Sequence, residues 1–300
     1  MSVTRESPAA ERAMARQARG DAMFSYAALM PAFIILVGFT VVPFLLSAWR
    51  SVQDRGGEFS TENYQRMLDD GVFHQVISNQ LIYTLVTVPV TIAVSLGLAV
   101  LGAKVLRGKA IARVSFLAPA MLPTVAAGAI WLYFYQPNFG MLNAVANALG
   151  LPGMNWLGSS ETALSAMMVV AVWQQAGLFV IFYLAALLSQ DPQLREAARI
   201  ERTRPWTFFR RVTWPLLMPT TLFVGVIATS NSFKQVDLLF VMTQGGPSDS
   251  TNLMLYYVWE TAFGQFRQEY SAAITVLLVI ILMVIAVAQI RLLDKRIHYR

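Results

Sequence analysis

Six long apolar stretches constrain this chain more than any other feature. They fall at about 25–49, 78–103, 114–135, 164–188, 217–242 and 270–292. A bilayer core about 30 Å thick is crossed by roughly 20 residues of helix, so each stretch is long enough to span it. Composition agrees. Only 13% of the residues are charged, against about 25% in soluble domains, which leaves too little polar surface to wrap a water-soluble globule. The expected fold class is an all-α polytopic membrane protein with six transmembrane helices. The first stretch is too long for a cleavable leader, lacks a small-x-small site, and contains Pro31 and Pro43. The fifth carries Lys234 and Asp237, which makes it the least typical span.

The lysines and arginines give the orientation. Of the 23, eighteen fall in the segment before the first span, the 104–113 loop, the 189–215 loop and the segment after the sixth. Four others, Arg50, Arg55, Arg66 and Arg267, fall on the opposite side. Basic residues accumulate on the cytoplasmic face, so the tails 1–24 and 293–300 and both basic loops are expected there. The net charge of +6 is thereby a topology signal, and no basic patch remains for nucleic acid. The absence of cysteine excludes disulfides, thiolate-bound metal and thiol catalysis. His74 and His298 are too far apart in sequence to suggest a metal site.

The outer loops are polar at 50–77 and end in a short apolar helix, Met141 to Leu149, within 136–163. The third opens with Gly245-Gly246-Pro247, a turn out of the membrane. The cytoplasmic loop 189–215 is the most specific segment. Asp191-Pro192 is an N-cap followed by a proline that loses nothing at the first helical position. Leu194, Ala197, Ala198 and Glu201 then share one helical face, with Glu196, Arg199 and Thr203 on another. Pro205 biases Arg204 out of helical geometry, giving a helix of roughly 12 residues. A basic, solvated loop would satisfy the charge rule alone. A capped helix with alanines on its surface also suits docking into a cleft of a cytoplasmic partner.

Glu196-Ala197-Ala198, with Val212 and Trp214-Pro215 downstream, resembles the EAA signature of bacterial ABC importer permeases. Leu122-Pro123, Trp173-Gln174-Gln175 and the run from Asn231 to Pro247 are similar to the carbohydrate and glycerol-3-phosphate branch. The resemblance implies a type I importer transmembrane domain over 25–292. Its loop 189–215 would couple to a separate ATPase through Glu196, Ala197, Ala198, Arg199 and Arg202. It further implies a second permease subunit in a heterodimer, two ATPase subunits that bind ATP and Mg, and an extracytoplasmic solute-binding protein. This chain itself would hold no cofactor. The expected location is the cytoplasmic (inner) membrane of a bacterium. Arg202 stands where the family has glycine, which predicts a differently shaped bend.

Within the membrane, Lys234 and Asp237 are spaced to lie on nearly one face of the fifth helix. They form either a polar translocation wall with Asn231, Ser232 and Gln235 or a self-neutralising structural pair. Trp173, Gln174 and Gln175 suit a polyhydroxylated ligand, or alternatively hydrogen-bond between helices. Trp131, Tyr133 and Tyr135 are expected in the outer aromatic belt, and Thr84, Thr87 and Thr91 in interhelical packing. No catalytic cluster is evident. The approach to a phosphate loop at Gly102 to Gly108-Lys109-Ala110 has the wrong spacing and lacks Ser or Thr. A stand-alone ion-coupled transporter using Lys234 and Asp237 is the alternative reading.

Overall fold

The computed structural model describes residues 25–104 and 109–294. The expected N-terminal tail, residues 105–108 of the first basic loop and all but the start of the C-terminal tail lie outside them. Five helices are each long and apolar enough to cross a membrane: Ser25–Ser51, Gly71–Ala103, Ala163–Leu188, Pro205–Phe233 and Gln268–Arg291. The sixth crossing is a bent pair, Ser115–Met121 and Thr124–Phe134, which meet at 108°. With the bent pair counted as one crossing, these match the six expected spans, and two of them are interrupted. Among the described residues the only strand-like pairing is an isolated bridge between Gln53 and Phe59.

The break in the third span has a local cause. Pro123 has no N–H to give and disfavours helical geometry at Leu122. The chain leaves the helix there and restarts at Thr124. A break at this depth strands the Leu122 carbonyl where water is scarce. Gln174 of the fourth helix supplies the missing donor, its Nε2 lying 3.0 Å from that oxygen. Gly177, one turn further on, lets the two helices touch, since a Cβ there would collide with the Phe116 carbonyl. Small residues allow this close approach between membrane helices.

The fifth span is also interrupted. Its helix begins at Pro205 inside the cytoplasmic loop, includes a wide π-turn over Phe209–Thr213, and ends at Phe233. The stretch around Trp206 to Trp214, expected as a separate amphipathic piece, is therefore the lower end of this helix. Lys234, Gln235 and Val236 form a break before a short helix, Asp237–Met242. The expectation that Lys234 and Asp237 share a helical face is thereby corrected. Both side chains are exposed, and among the described residues they form no ion pair.

Packing divides the interior into three zones. The second helix runs against the fourth along much of its length, with Tyr83, Met167, Val170, Leu238 and Leu239 filling the middle. Phe179, Tyr183, Leu217 and Val224 fill the half nearer the loop helix. Tyr135 is buried and donates to the Ala166 carbonyl at 2.9 Å, and Trp131 packs against the same core. Neither is a belt residue; only Tyr133 points outward. Thr84 bonds Ser232 across to the fifth helix at 2.9 Å, while Thr87 and Thr91 are buried, in line with a packing role. The first helix buries none of its most apolar window within this chain.

The third zone closes the outer mouth. Asp70 caps the second helix, accepting from the Val72 and Phe73 amides at 2.9 and 3.2 Å. This cap is why the helix starts at Gly71, seven residues before the apolar run, and reaches 34 residues, about 50 Å. The other Asp70 oxygen accepts from Tyr257 and Tyr270, each at 2.6 Å. Burial pushes the Asp70 carboxyl up, but the two hydroxyls and two amides outweigh it and hold it below its ordinary 3.8. A depressed carboxylate stabilises the fold above its unfolded value, and that contribution is lost as pH falls through the folded value. Asp70→Asn is expected to cost about 1–3 kcal/mol at pH 7. It should also flatten the loss of stability below pH 3.8, as read from thermal unfolding in detergent at both ends of that range.

Candidate functional site

The expected site residues fall in two regions, the loop helix after the fourth span and the polar break in the fifth, with Trp173, Gln174 and Gln175 on the fourth helix. The loop helix runs Pro192–Ile200, with the Asp191 side chain accepting from the Gln193 amide at 2.9 Å. It is nine residues long, shorter than the length expected from Pro205, because it closes itself before that proline. The Thr203 amide returns to the Ala198 carbonyl at 2.9 Å and the Arg202 amide to that of Arg199 at 3.1 Å. This is a Schellman closure, which places its C′ residue in left-handed geometry. That residue is Arg202, at φ 51°. The bend is therefore the one a glycine would make, built with an arginine at a cost of about 1–2 kcal/mol, and the expectation of a differently shaped bend is corrected.

None of the nine residues is buried. Glu196 and Ala197 are exposed, Ala198 is half-covered, and Ile200 stands 83% exposed. Arg195, Ala198, Arg199 and Arg202 line a hollow of about 590 Å³ against the ends of the spans. Glu196, Ala197 and Ile200 do not line it. Of the two motif alanines, Ala198 borders the hollow and Ala197 faces away from it into the open. The helix is thus capped at both ends, and its Glu196, Ala197 and Ile200 side is exposed.

In the membrane, the expected polar residues divide in two. Gln174 is engaged with Leu122 and, at 3.4 Å, with Thr124, so it holds the break in the third span. Trp173 meets Trp131 edge-on at 5.6 Å between ring centroids. Gln175 is half-buried with no hydrogen bond from its side chain among the described residues. In the fifth span Ser232 is buried and bonded to Thr84 and to the Thr229 carbonyl. Asn231 is half-buried and Lys234 and Asp237 are exposed, while Gln235 has a buried Nε2 without a partner. No hydrogen bond or ring contact joins the Trp173 set to the break. They border one core, which contains Leu238 and Leu239 on one side and Val170 and Ala171 on the other.

Sequence reasoning missed Gln80 and Asn79. Gln80 donates to the Ser232 carbonyl at 3.2 Å and accepts from the Met254 amide at 3.3 Å. Asn79 donates to the carbonyls of Asp249 and Asn252 at 2.8 and 3.1 Å. Together they fasten the second helix to the break and to the outer loop. Amides at the edge of an apolar span are a signal in themselves, since such groups need named partners. Among the described residues no cluster of acidic or histidine side chains could hold a metal ion.

The fold is thus a polytopic helical bundle with broken apolar spans and an exposed helix outside them. Residues 81–299 match the family described as binding-protein-dependent transport system inner membrane component, and the chain belongs to that family. It is 28% identical over 284 residues to the sulfoquinovosyl glycerol transport system permease protein SmoG of Agrobacterium fabrum, covering 92% of each chain. It is 29% identical to the sn-glycerol-3-phosphate transport system permease protein UgpA of the same organism, over 79% of this chain and 81% of that one. Its fold is similar to a chain of a bacterial ABC transporter that imports the acidic polysaccharide alginate. The TM-score is 0.81 at 19% identity, covering 95% of this chain and 99% of that one. A second alginate transporter structure, in complex with an alginate pentasaccharide-bound periplasmic protein, gives 0.82 at 19% identity over 91% and 94%. The chain is thus an inner-membrane permease component of a binding-protein-dependent system. This membership, together with the unpaired Lys234 and Asp237, sets aside the stand-alone ion-coupled carrier.

Two substitutions check the local arguments. Gln174→Leu leaves the Leu122 carbonyl unsatisfied and should cost about 1–2 kcal/mol of stability in detergent. Arg202→Gly relieves the left-handed strain and should raise the thermal midpoint, by the equivalent of about 1 kcal/mol.

Proposed function

We propose that this permease works with a second permease subunit and two ATPase subunits to import a carbohydrate or glycerophospho-type solute. An extracytoplasmic binding protein delivers that solute. The observation that carries this reading is the capped helix Pro192–Ile200, ordered by its own caps yet with no residue buried against its own chain. The names of the curated relatives, a sulfoquinovosyl glycerol permease, a glycerol-3-phosphate permease and a permease for starch degradation products, support the solute class. The excess of basic residues in the loop-helix segment supports a cytoplasmic location for it and for both termini.

The mechanism follows from the connection between the helix and the spans. ATP and Mg bind the ATPase subunits, whose closure moves the helix docked between them. Glu196 provides the docking carboxylate, and Ala197 lets the partner surface come close. Ala198, Arg199 and Arg202 hold the helix to its own spans. The Schellman turn and Arg204 pass the motion to Pro205, the first residue of the fifth-span helix. The rod then moves the polar break, where Asn231, Ser232, Lys234, Gln235 and Asp237 form one wall of the path. Trp173 and Gln175 contribute a second patch suited to sugar C–H faces and hydroxyls. Gln174 positions that patch through its bond to the third span.

Glu196→Ala is expected to weaken association with the ATPase roughly tenfold, the equivalent of one charged hydrogen bond. Solute-stimulated ATP hydrolysis in reconstituted vesicles should fall with it. Full ATPase recruitment and full transport by this variant would remove the docking role.

A further inference from the structure

We propose that the hollow behind the loop helix is a binding site for an anionic phospholipid of the cytoplasmic leaflet. The proposal takes from the functional reading only which face is cytoplasmic. Arg195, Ala198 and Arg199 stand at i, i+3 and i+4 on one face of the helix, the left-handed turn adds Arg202 beside them, and all four line the cavity of about 590 Å³. Its remaining walls are largely apolar: Leu187 closes the fourth helix, and Phe208 and Phe209 open the fifth. No carboxylate lines it. Among the described residues none of the three arginines is ion-paired, and Glu196 and Glu201 do not face the cavity.

Three guanidinium groups over an apolar hollow repel one another unless an anion is supplied. The hollow lies at the ends of membrane spans, where a phosphodiester headgroup with attached acyl chains is the anion at hand. Arginine matches phosphate oxygens through paired N–H donors, and Leu187 with the two phenylalanines offers surface to the start of a chain. Basic pockets between spans on this face are suited to anionic headgroups. Arg202 adds an independent argument. It holds left-handed geometry that glycine would take without cost, and strain of this kind persists where the side chain has a use. The same helix thus presents an outer face to the motor and an inner face to the membrane, so that a bound lipid would brace the lever against the spans.

The test is native mass spectrometry of the complete transporter, purified in detergent with equal phosphatidylglycerol and phosphatidylcholine. The wild-type complex is expected to retain phosphatidylglycerol preferentially. Arg195→Gln with Arg199→Gln should reduce that retention about tenfold, and Arg55→Gln, exposed in the 50–77 loop, should leave it unchanged. Soluble glycerol phosphate, which has the headgroup chemistry without chains, should not displace the lipid. Equal retention of the two lipids, equal retention by wild type and the double variant, or displacement by glycerol phosphate would each overturn the proposal. Lipid retention is read without transport, so a failure here is separate from a failure of the docking role.

Discussion

A peptide group inside a bilayer has no water to fall back on, and this chain twice breaks a span despite that constraint. The first break, at Leu122-Pro123, is tolerated because Gln174 reaches the stranded carbonyl from the neighbouring helix. The second, at Lys234 to Val236, is held by Gln80, which donates to the Ser232 carbonyl from the second helix. Irregular backbone at membrane depth survives only where protein or a wet cavity covers it. Both breaks therefore mark places where this subunit has an interior. Much of the remaining architecture, including the close contact at Gly177 and the long second helix, brings those two amides within reach.

The breaks explain what was legible in the sequence and what was not. Six spans could be read from length and apolarity, and Asp191-Pro192 announced the loop helix, because these signals are local. Lys234 and Asp237 misled, since a spacing of three means a shared face only on an unbroken helix, and nothing nearby announces the break as a proline would. Trp131 and Tyr135 misled for a different reason. Aromatic residues near a span end favour the interface, but the 108° bend turns this segment inward onto the fourth helix. The left-handed turn at Arg202 was hidden because side-chain preference argues against it, and only the closing hydrogen bonds to Ala198 and Arg199 show that the chain adopts it.

The outer and cytoplasmic ends are held very differently. At the outer mouth, Asp70 joins the second helix to Tyr257 and Tyr270. Asn79 and Gln80 tie it to the loop after the fifth span, and Thr251 bonds Thr243 and the Gly246 carbonyl at 2.8 Å each. Each bond is worth about 1 kcal/mol net, and more where Asp70 is the acceptor, so this end is fastened at several points at once. At the other end the loop helix is closed by the Asp191 side chain and a Schellman turn, and none of its residues is buried. Regions with few buried contacts open at low cost, so this helix shifts more easily than the outer cluster does.

Movement delivered there has one stiff route upward. The helix Pro205–Phe233 is 29 residues, about 43 Å of rod, and begins only five residues after the loop helix ends. Its upper end is the break that exposes Lys234 and Asp237 and leaves the Gln235 amide without a partner. A helix transmits displacement along its axis far better than a loop does. A shift at the foot of this rod therefore arrives at the break, where Lys234 and Asp237 are exposed and the Gln235 Nε2 is buried without a partner. Ser232, bonded to Thr84, sits just below that stretch and gives the rod a pivot against the second helix. The polar break thus lies beyond the pivot and the loop helix before it, so that displacement at one end of the rod is turned into displacement at the other.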